Sequence, residues 1–168
     1  GSCGGCEAGE TCVEGACGGG AECDDLECFL DGAIYVSDAS GNYDIWKGLG
    51  DQPEVLTSSN DDDFFPRWSR DRSRIAYVRE KSKGKQIWLM NPDGTEQKKL
   101  VYFSDLCDAV PFSSCNQPTN FTWAGDSTYL VFQVDDTKND GNSTFVRVDV
   151  PSGATLVFHT VDAKVKGG

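Results

Sequence analysis

After Phe29 the chain alternates apolar and polar positions in short runs: AIYVSD, YDIWKGL, RIAYVRE, KQIWLMN, YLVFQVD, TFVRVDV and ATLVFHTV. The period is two, the residues are mostly Val, Ile, Tyr, Phe and Trp, and each run has the length of an ordinary strand. Between the runs lie ASGN, KSKGK, NPDGT and PSGA, which bring the Gly, Pro, Asn and Asp that tight turns require. No helical period recurs over any length, so the pattern predicts an all-β chain. Residues 1–28 read differently. Val13 and Leu26 are their only large aliphatic residues, so covalent links must supply the order that a core cannot.

The runs repeat. YDIWKGLGDQPEVLT aligns with KQIWLMNPDGTEQKKL, Ile45-Trp46 over Ile87-Trp88, at the spacing of one four-stranded propeller blade. FPRWSRDRSRIAYV aligns with NFTWAGDSTYLVFQ, Trp68 over Trp123 and Asp71 over Asp126, across a longer interval that contains CDAVPFSSC. A third copy closes with TFVRVDVPSGATLVF. The stretch around Trp68 and Trp88 is thus a structural repeat and not an active-site motif.

The pattern P-x-W-S-x-D…I-A-Y-V…I-W-L-M-N-P-D-G-T-E-Q-K-K-L resembles the WD40-like repeat of TolB-type β-propellers. The residues that carry the resemblance are Pro66, Trp68, Ser69, Asp71, Ile75, Ala76, Ile87, Met90, Asn91, Asp93, Gly94 and Leu100. It covers residues 29–162 and implies about three blades, near 29–60, 61–104 and 116–162, with a Cys-bridged insertion at 105–115. The first copy lacks the Trp-Ser-x-Asp strand and has LECFLDG there instead, so a missing or distorted strand is expected. In the third copy Ala124-Gly125 replaces the usual Ser and its neighbour. The repeat implies that Trp46, Trp68, Trp88 and Trp123 pack between blades and that Asp93-Gly94 forms a turn between outer strands. Rings of this type close with about six blades, and three blades leave two flanks without a neighbour.

Six cysteines, Cys3, Cys6, Cys12, Cys17, Cys23 and Cys28, lie in the N-terminal segment, and Cys107 and Cys115 flank the insertion. An even number in a core-poor segment reads as a disulfide framework and an oxidising compartment, extracellular or periplasmic. A zinc module is the rival reading, with Cys3-x-x-Cys6 as a ligand pair. Cys107 and Cys115 are expected to join each other. The chain opens at Gly1 directly into these cysteines, the form expected of a mature secreted chain.

The formal net charge of −12 disfavours nucleic acid as a partner. No apolar run is long enough to span a bilayer, and no membrane crossing is expected.

Catalytic signatures are missing from the sequence. The single histidine, His159, falls within a strand pattern, and no nucleophile elbow, His-Glu-x-x-His or phosphate-binding Gly loop occurs. No catalytic or cofactor-binding residue is assigned. Asp136 and Asp140, and likewise Asp38 and Asp44, stand in loops with a calcium-like arrangement, against an ordinary Asx-rich turn. Asn120 and Asn142 open glycosylation sequons.

The function expected is that of a secreted, non-enzymatic protein-interaction module. Its free blade faces and strand edges would bind copies of itself, building an oligomer or filament. The last strand, ATLVFHTVDAKV, is expected to continue past Phe158 onto a neighbouring copy, with Lys164 and Lys166 meeting the acidic surface of Asp61–Asp63. The alternative is an accessory propeller belonging to a larger hydrolase or envelope transport assembly.

Overall fold

The computed structural model describes residues 11–13, 16–18, 32–48, 52–111, 114–115, 120–138 and 142–161, with backbone alone for 11–18 and 158–161. Cys3, Cys6, Cys23, Cys28, Asp140, Lys164 and Lys166 lie outside the described residues. The chain divides into two units. The first comprises residues 1–33 and 48–53, and the second 34–47 and 54–168. Within the first, β1 (Thr11–Val13) and β2 (Ala16–Gly18) form an antiparallel hairpin with Cys12 opposite Cys17.

The second unit holds three antiparallel sheets, each a simple meander. The first is β3 (Ile34–Ser37), β4 (Asp44–Lys47) and β5 (Glu54–Val55). The second is β6 (Asp62–Trp68), β7 (Ile75–Lys81), β8 (Gly84–Met90) and β9 (Lys98–Tyr102). The third is β10 (Phe121–Trp123), β11 (Tyr129–Asp135), β12 (Ser143–Asp149) and β13 (Thr155–Val161). The strands are those that the period-two pattern predicts, arranged in the blades that the repeat resemblance implies. The three-stranded sheet is blade 1, with its Ile45-Trp46 strand in the place of blade 2's Ile87-Trp88 strand. Among the described residues no strand occupies the innermost position, which β6 and β10 fill in the other blades.

Two apolar seams hold the blades together. Ile45 and Leu56 of blade 1 pack against Ile75, Tyr77 and Met90 of blade 2, with Ile34, Trp68 and Trp88 at the margin. Ala76, Val78, Ile87, Leu89 and Val101 on blade 2's other face pack against Phe121, Leu130, Phe132, Val134, Val146 and Val148 of blade 3. Burying aliphatic and aromatic side chains of this size stabilises by about 1.5–3 kcal/mol each. Blade 2 therefore uses its two faces for two neighbours, the interdependence expected of stacked repeats.

A second device recurs at each seam. Gly94 (φ +79) and Gly153 (φ +74) stand in the closing turns of blades 2 and 3. A Cβ on them would lie 2.6 Å from the Leu56 carbonyl oxygen and 2.5 Å from that of Leu100, each in the preceding blade. Glycine is needed there for the positive φ and for the close approach. Blades 2 and 3 also share a bulge at equivalent places, between Ile87 and Trp88 and between Phe145 and Val146. Because of the second bulge, strict alternation along the last strand does not hold. Val157 stands opposite Val146 and His159 opposite Phe145, so two positions along β13 match one along β12.

One element was not anticipated by periodicity. The insertion begins with α1 (Phe103–Asp108), a single-turn helix whose buried Phe103 and Leu106 dock on the seam between blades 2 and 3. Its backbone start is tied by the Tyr102 N–H donating to Asp105 Oδ2 at 3.2 Å. Six residues are too few to display a helical period.

Candidate functional site

The Trp-Ser-x-Asp segment builds a tight turn between the first two strands of blade 2. Ser69 Oγ donates to Asp71 Oδ1 at 2.6 Å, and the Ser73 N–H and hydroxyl donate to the same oxygen. These donors hold the exposed Asp71 carboxyl down to about 2. Arg72 takes the left-handed conformation within the turn (φ +56). Blade 3 repeats the arrangement. The Thr128 N–H and hydroxyl donate to Asp126 Oδ1, and Ser127 has φ +59. The two turns are linked by the Asp71 N–H donating to Ser127 Oγ at 3.2 Å.

Beside these turns lies a groove of about 480 Å³, lined by Ile34, Pro66, Arg67, Trp68, Arg70 and residues 122–125. Trp123 is positioned by its indole N–H, which donates to the Arg67 carbonyl at 3.0 Å, while the Arg72 guanidinium lies 5.5 Å from the Trp68 ring centroid. Two indoles and two exposed guanidiniums in one groove suit a flat or anionic group. A second cleft, of about 470 Å³, opens on the outer half of blade 2. Lys81, Ser82, Lys83, Gln86, Trp88, Lys99 and Tyr102 line it.

Between blades 1 and 2 runs a buried polar seam. Asp63 is bridged by Arg79, which also donates to Gln97 Oε1 at 3.0 Å and lies 4.4 Å from the Trp88 ring centroid. Burial pushes the Asp63 carboxyl up, against the pull of the Arg79 guanidinium. Burial also pushes the Tyr77 phenol well up, keeping it neutral. Gln97 closes the seam by donating to the Leu56 carbonyl at 3.1 Å. Asp61, next in the same run, pairs with Lys81 at 2.5 Å. The expectation that Asp61–Asp63 present a free acidic surface to Lys164 and Lys166 is corrected by these pairs. Two of the three carboxylates are spent inside the chain, and Asp62 accepts the Tyr43 N–H.

The four tryptophans separate into two groups. Trp68, Trp88 and Trp123 lie at the seams between blades. Trp46 shares its sheet face with Tyr35 and Val55, the face turned away from Ile45 and blade 2. Its indole nitrogen is buried without a hydrogen-bond partner.

Of the calcium candidates, Asp38, Asp44 and Asp136 lie among the described residues. Asp44 is buried, its two oxygens accepting from the Ser40 and Thr57 hydroxyls, whereas Asp38 is exposed. Asp136 accepts the Lys138 N–H in an Asx turn. Among the described residues no group of three or more His, Cys, Asp or Glu is placed to hold a metal ion. Asn120 is exposed and Asn142 half-buried. Cys107 and Cys115 form the expected disulfide, with Cα atoms 5.8 Å apart, which marks an oxidising compartment. Among the described residues no helix is long and apolar enough to cross a membrane. What the repeat pattern did not reveal is the inner groove. Its sequence signal is the group of four arginines from Arg67 to Arg74, which the packing repeat does not require.

Meandering sheets packed face to face, with repeated inner turns and closing turns, define the chain as an array of β-propeller blades. In fold they are similar to TolB proteins. TolB from Acinetobacter baumannii superposes with a TM-score of 0.52 at 20% identity, over 75% of this chain and 30% of that one. A putative TolB from Agrobacterium tumefaciens gives 0.52 at 15% identity, over 77% and 45%. An oligogalacturonate lyase from Vibrio parahaemolyticus gives 0.56 at 15%, over 77% and 36%. At these identities the likeness is one of fold, and the chain spans less than half the length of each. No protein-family model matches the chain, and no curated protein matches it.

Proposed function

We propose that the chain is a secreted, non-enzymatic binding module that joins proteins, copies of itself first among them, into an extracellular oligomer or filament. The observation that carries this reading is the unfinished first blade. Among the described residues blades 2 and 3 each have four strands and blade 1 has three, so β3 is the edge of its described sheet, where β6 and β10 sit beside their neighbours in the other two. An edge strand offers a ladder of backbone donors and acceptors to an added strand. On the adjoining face Val55, 42% exposed, supplies apolar area for a partner. On the far flank Leu156 is 60% exposed and offers a second apolar contact.

Hydrogen exchange of the full chain at two concentrations tests the reading. The amides of Ile34–Ser37 are expected to exchange slowly in the concentrated sample and to lose protection on dilution. Equal exchange at both concentrations contradicts it.

The span of 30–45% of the solved propellers supports a second reading, an accessory portion of a larger ring in a hydrolase or an envelope transport assembly. An intact mass from the natural source separates the two, because only the second requires a much longer chain.

A further inference from the structure

The fifteen cations of this chain are unevenly placed. Ten of them lie between Asp61 and Tyr102, alongside only seven of the 27 carboxylates. The middle blade is therefore net positive within a chain of net charge −12. Elsewhere twenty carboxylates face five cations, and the first 46 residues hold ten carboxylates and no lysine or arginine.

Part of that positive charge is neutralised inside the blade. Arg74 meets Glu96, Arg79 meets Asp63, Lys81 meets Asp61 and Lys85 meets Glu80. Lys83 and Lys99 are in no ion pair among the described residues, and both line the outer cleft. The Lys99 ammonium lies 3.6 Å from the centroid of the Tyr102 ring, and that of Lys81 lies 5.8 Å from the Trp88 ring. Aromatic faces under these ammoniums hold them in place and thin their hydration, so a carboxylate brought to them gains more than it would at a bare surface lysine.

We propose that this cleft is the docking site for the carboxylate-rich surface of a second copy of the chain. The proposal rests on the self-association reading and names what sets the orientation of the contact. Two chains of the same large negative charge repel at long range, and only an approach that sets the positive middle blade of one against the acidic remainder of the other turns repulsion into attraction. Each copy carries both halves of that contact. It is heterologous, and such contacts propagate from copy to copy when they do not close a ring.

The test uses the full chain, mixed from ¹⁴N- and ¹⁵N-labelled preparations, with zero-length carbodiimide coupling of lysine to carboxylate. Linked peptides are read by mass spectrometry, and the assembly mass is measured by light scattering in the same sample. Mixed-isotope links at Lys83 or Lys99 are expected at low salt, falling about tenfold in 1 M salt, where the screening length is about 3 Å. The Lys83→Glu/Lys99→Glu variant should lose them while keeping its thermal midpoint. Lys47 and Lys138, outside the cleft and in no ion pair among the described residues, serve as controls. An assembled sample with no mixed links at Lys83 and Lys99, or no more than at the controls, overturns the docking site and leaves self-association standing. Links joining only same-isotope peptides also overturn it. A sample that stays monomeric at every concentration removes both readings.

Discussion

Asp63 and Arg79 stand opposite each other in the β6–β7 register and are joined by two hydrogen bonds of 2.7 Å, Nε to Oδ1 and Nη2 to Oδ2. The aspartate side chain is 0% exposed and that of the arginine 5%. A buried pair of this kind offsets its own desolvation cost only while both partners are present. Asp63→Asn leaves the guanidinium buried without its carboxylate and is expected to lower stability by about 3–5 kcal/mol in urea unfolding. Replacing both, as Asp63→Leu with Arg79→Met, should recover most of that loss. A single variant within about 1 kcal/mol of the parent would show that the seam does not depend on the pair.

Glycines at the blade joints give a second comparison. Gly94→Ala and Gly153→Ala meet both a positive φ and a carbonyl closer than 3 Å, whereas Gly84→Ala (φ +113) meets open space. The joint variants should each lose about 2–4 kcal/mol, and Gly84→Ala about 1 kcal/mol, in the same unfolding experiment. Equal losses would mean that the close approach to Leu56 and Leu100 is relieved at no cost.

Much of this was legible in the chain. The turn residues and the period-two runs marked most of the strands, and Trp68 over Trp123 marked the repeat. Three features were not. The burial of Asp63 could not be read from NDDDFF, because only the opposing strand brings Arg79 to it. Single-turn α1 is too short for a periodic signal and is tied by the Cys107–Cys115 bridge. The bulge beside Phe145 shifts register without any glycine or proline to announce it.

Acid should weaken the fold through its turn aspartates. Asp71 is held down to about 2, and Asp93 and Asp126 are also lowered, by hydroxyl and backbone donors at Ser69, Ser73, Thr95 and Thr128. A folded value below the unfolded one, near 3.9, gives stability that is present above pH 4 and lost as pH falls toward 2. The thermal midpoint is expected to fall between pH 4 and 2, and Asp71→Asn should make that fall shallower. A slope unchanged by the substitution would remove Asp71 from the account.

The insertion depends on its bridge. Cys107→Ala/Cys115→Ala opens a short covalent loop under α1, and a loss of about 2–3 kcal/mol is expected. Peptide mapping without reduction should recover the two cysteines as one linked fragment. Either of them linked to an N-terminal cysteine would contradict the assignment.

The outward face of blade 3 shows how a flank is kept from indiscriminate contact. Blade 2 places the pairs Val78–Ile87 and Ala76–Leu89 in its buried seam, and the corresponding pairs of blade 3 are Gln133–Phe145 and Val131–Arg147. The polar replacements are engaged locally. Gln133 donates to Asp135, Arg147 pairs with Asp149, and the Arg147 guanidinium lies 4.0 Å from the Tyr129 ring centroid. Gln133→Val/Arg147→Leu recreates the apolar surface of blade 2 and should raise the average mass in solution and promote precipitation. An unchanged mass would show that these two residues do not limit contact at that flank.

The central claim is that the open array associates with copies of itself, and static light scattering of the intact chain at two widely separated concentrations tests it most directly. The account predicts an average mass well above the 18.2 kDa of one chain in the concentrated sample, decreasing toward that value on dilution. A mass equal to one chain at both concentrations would contradict it.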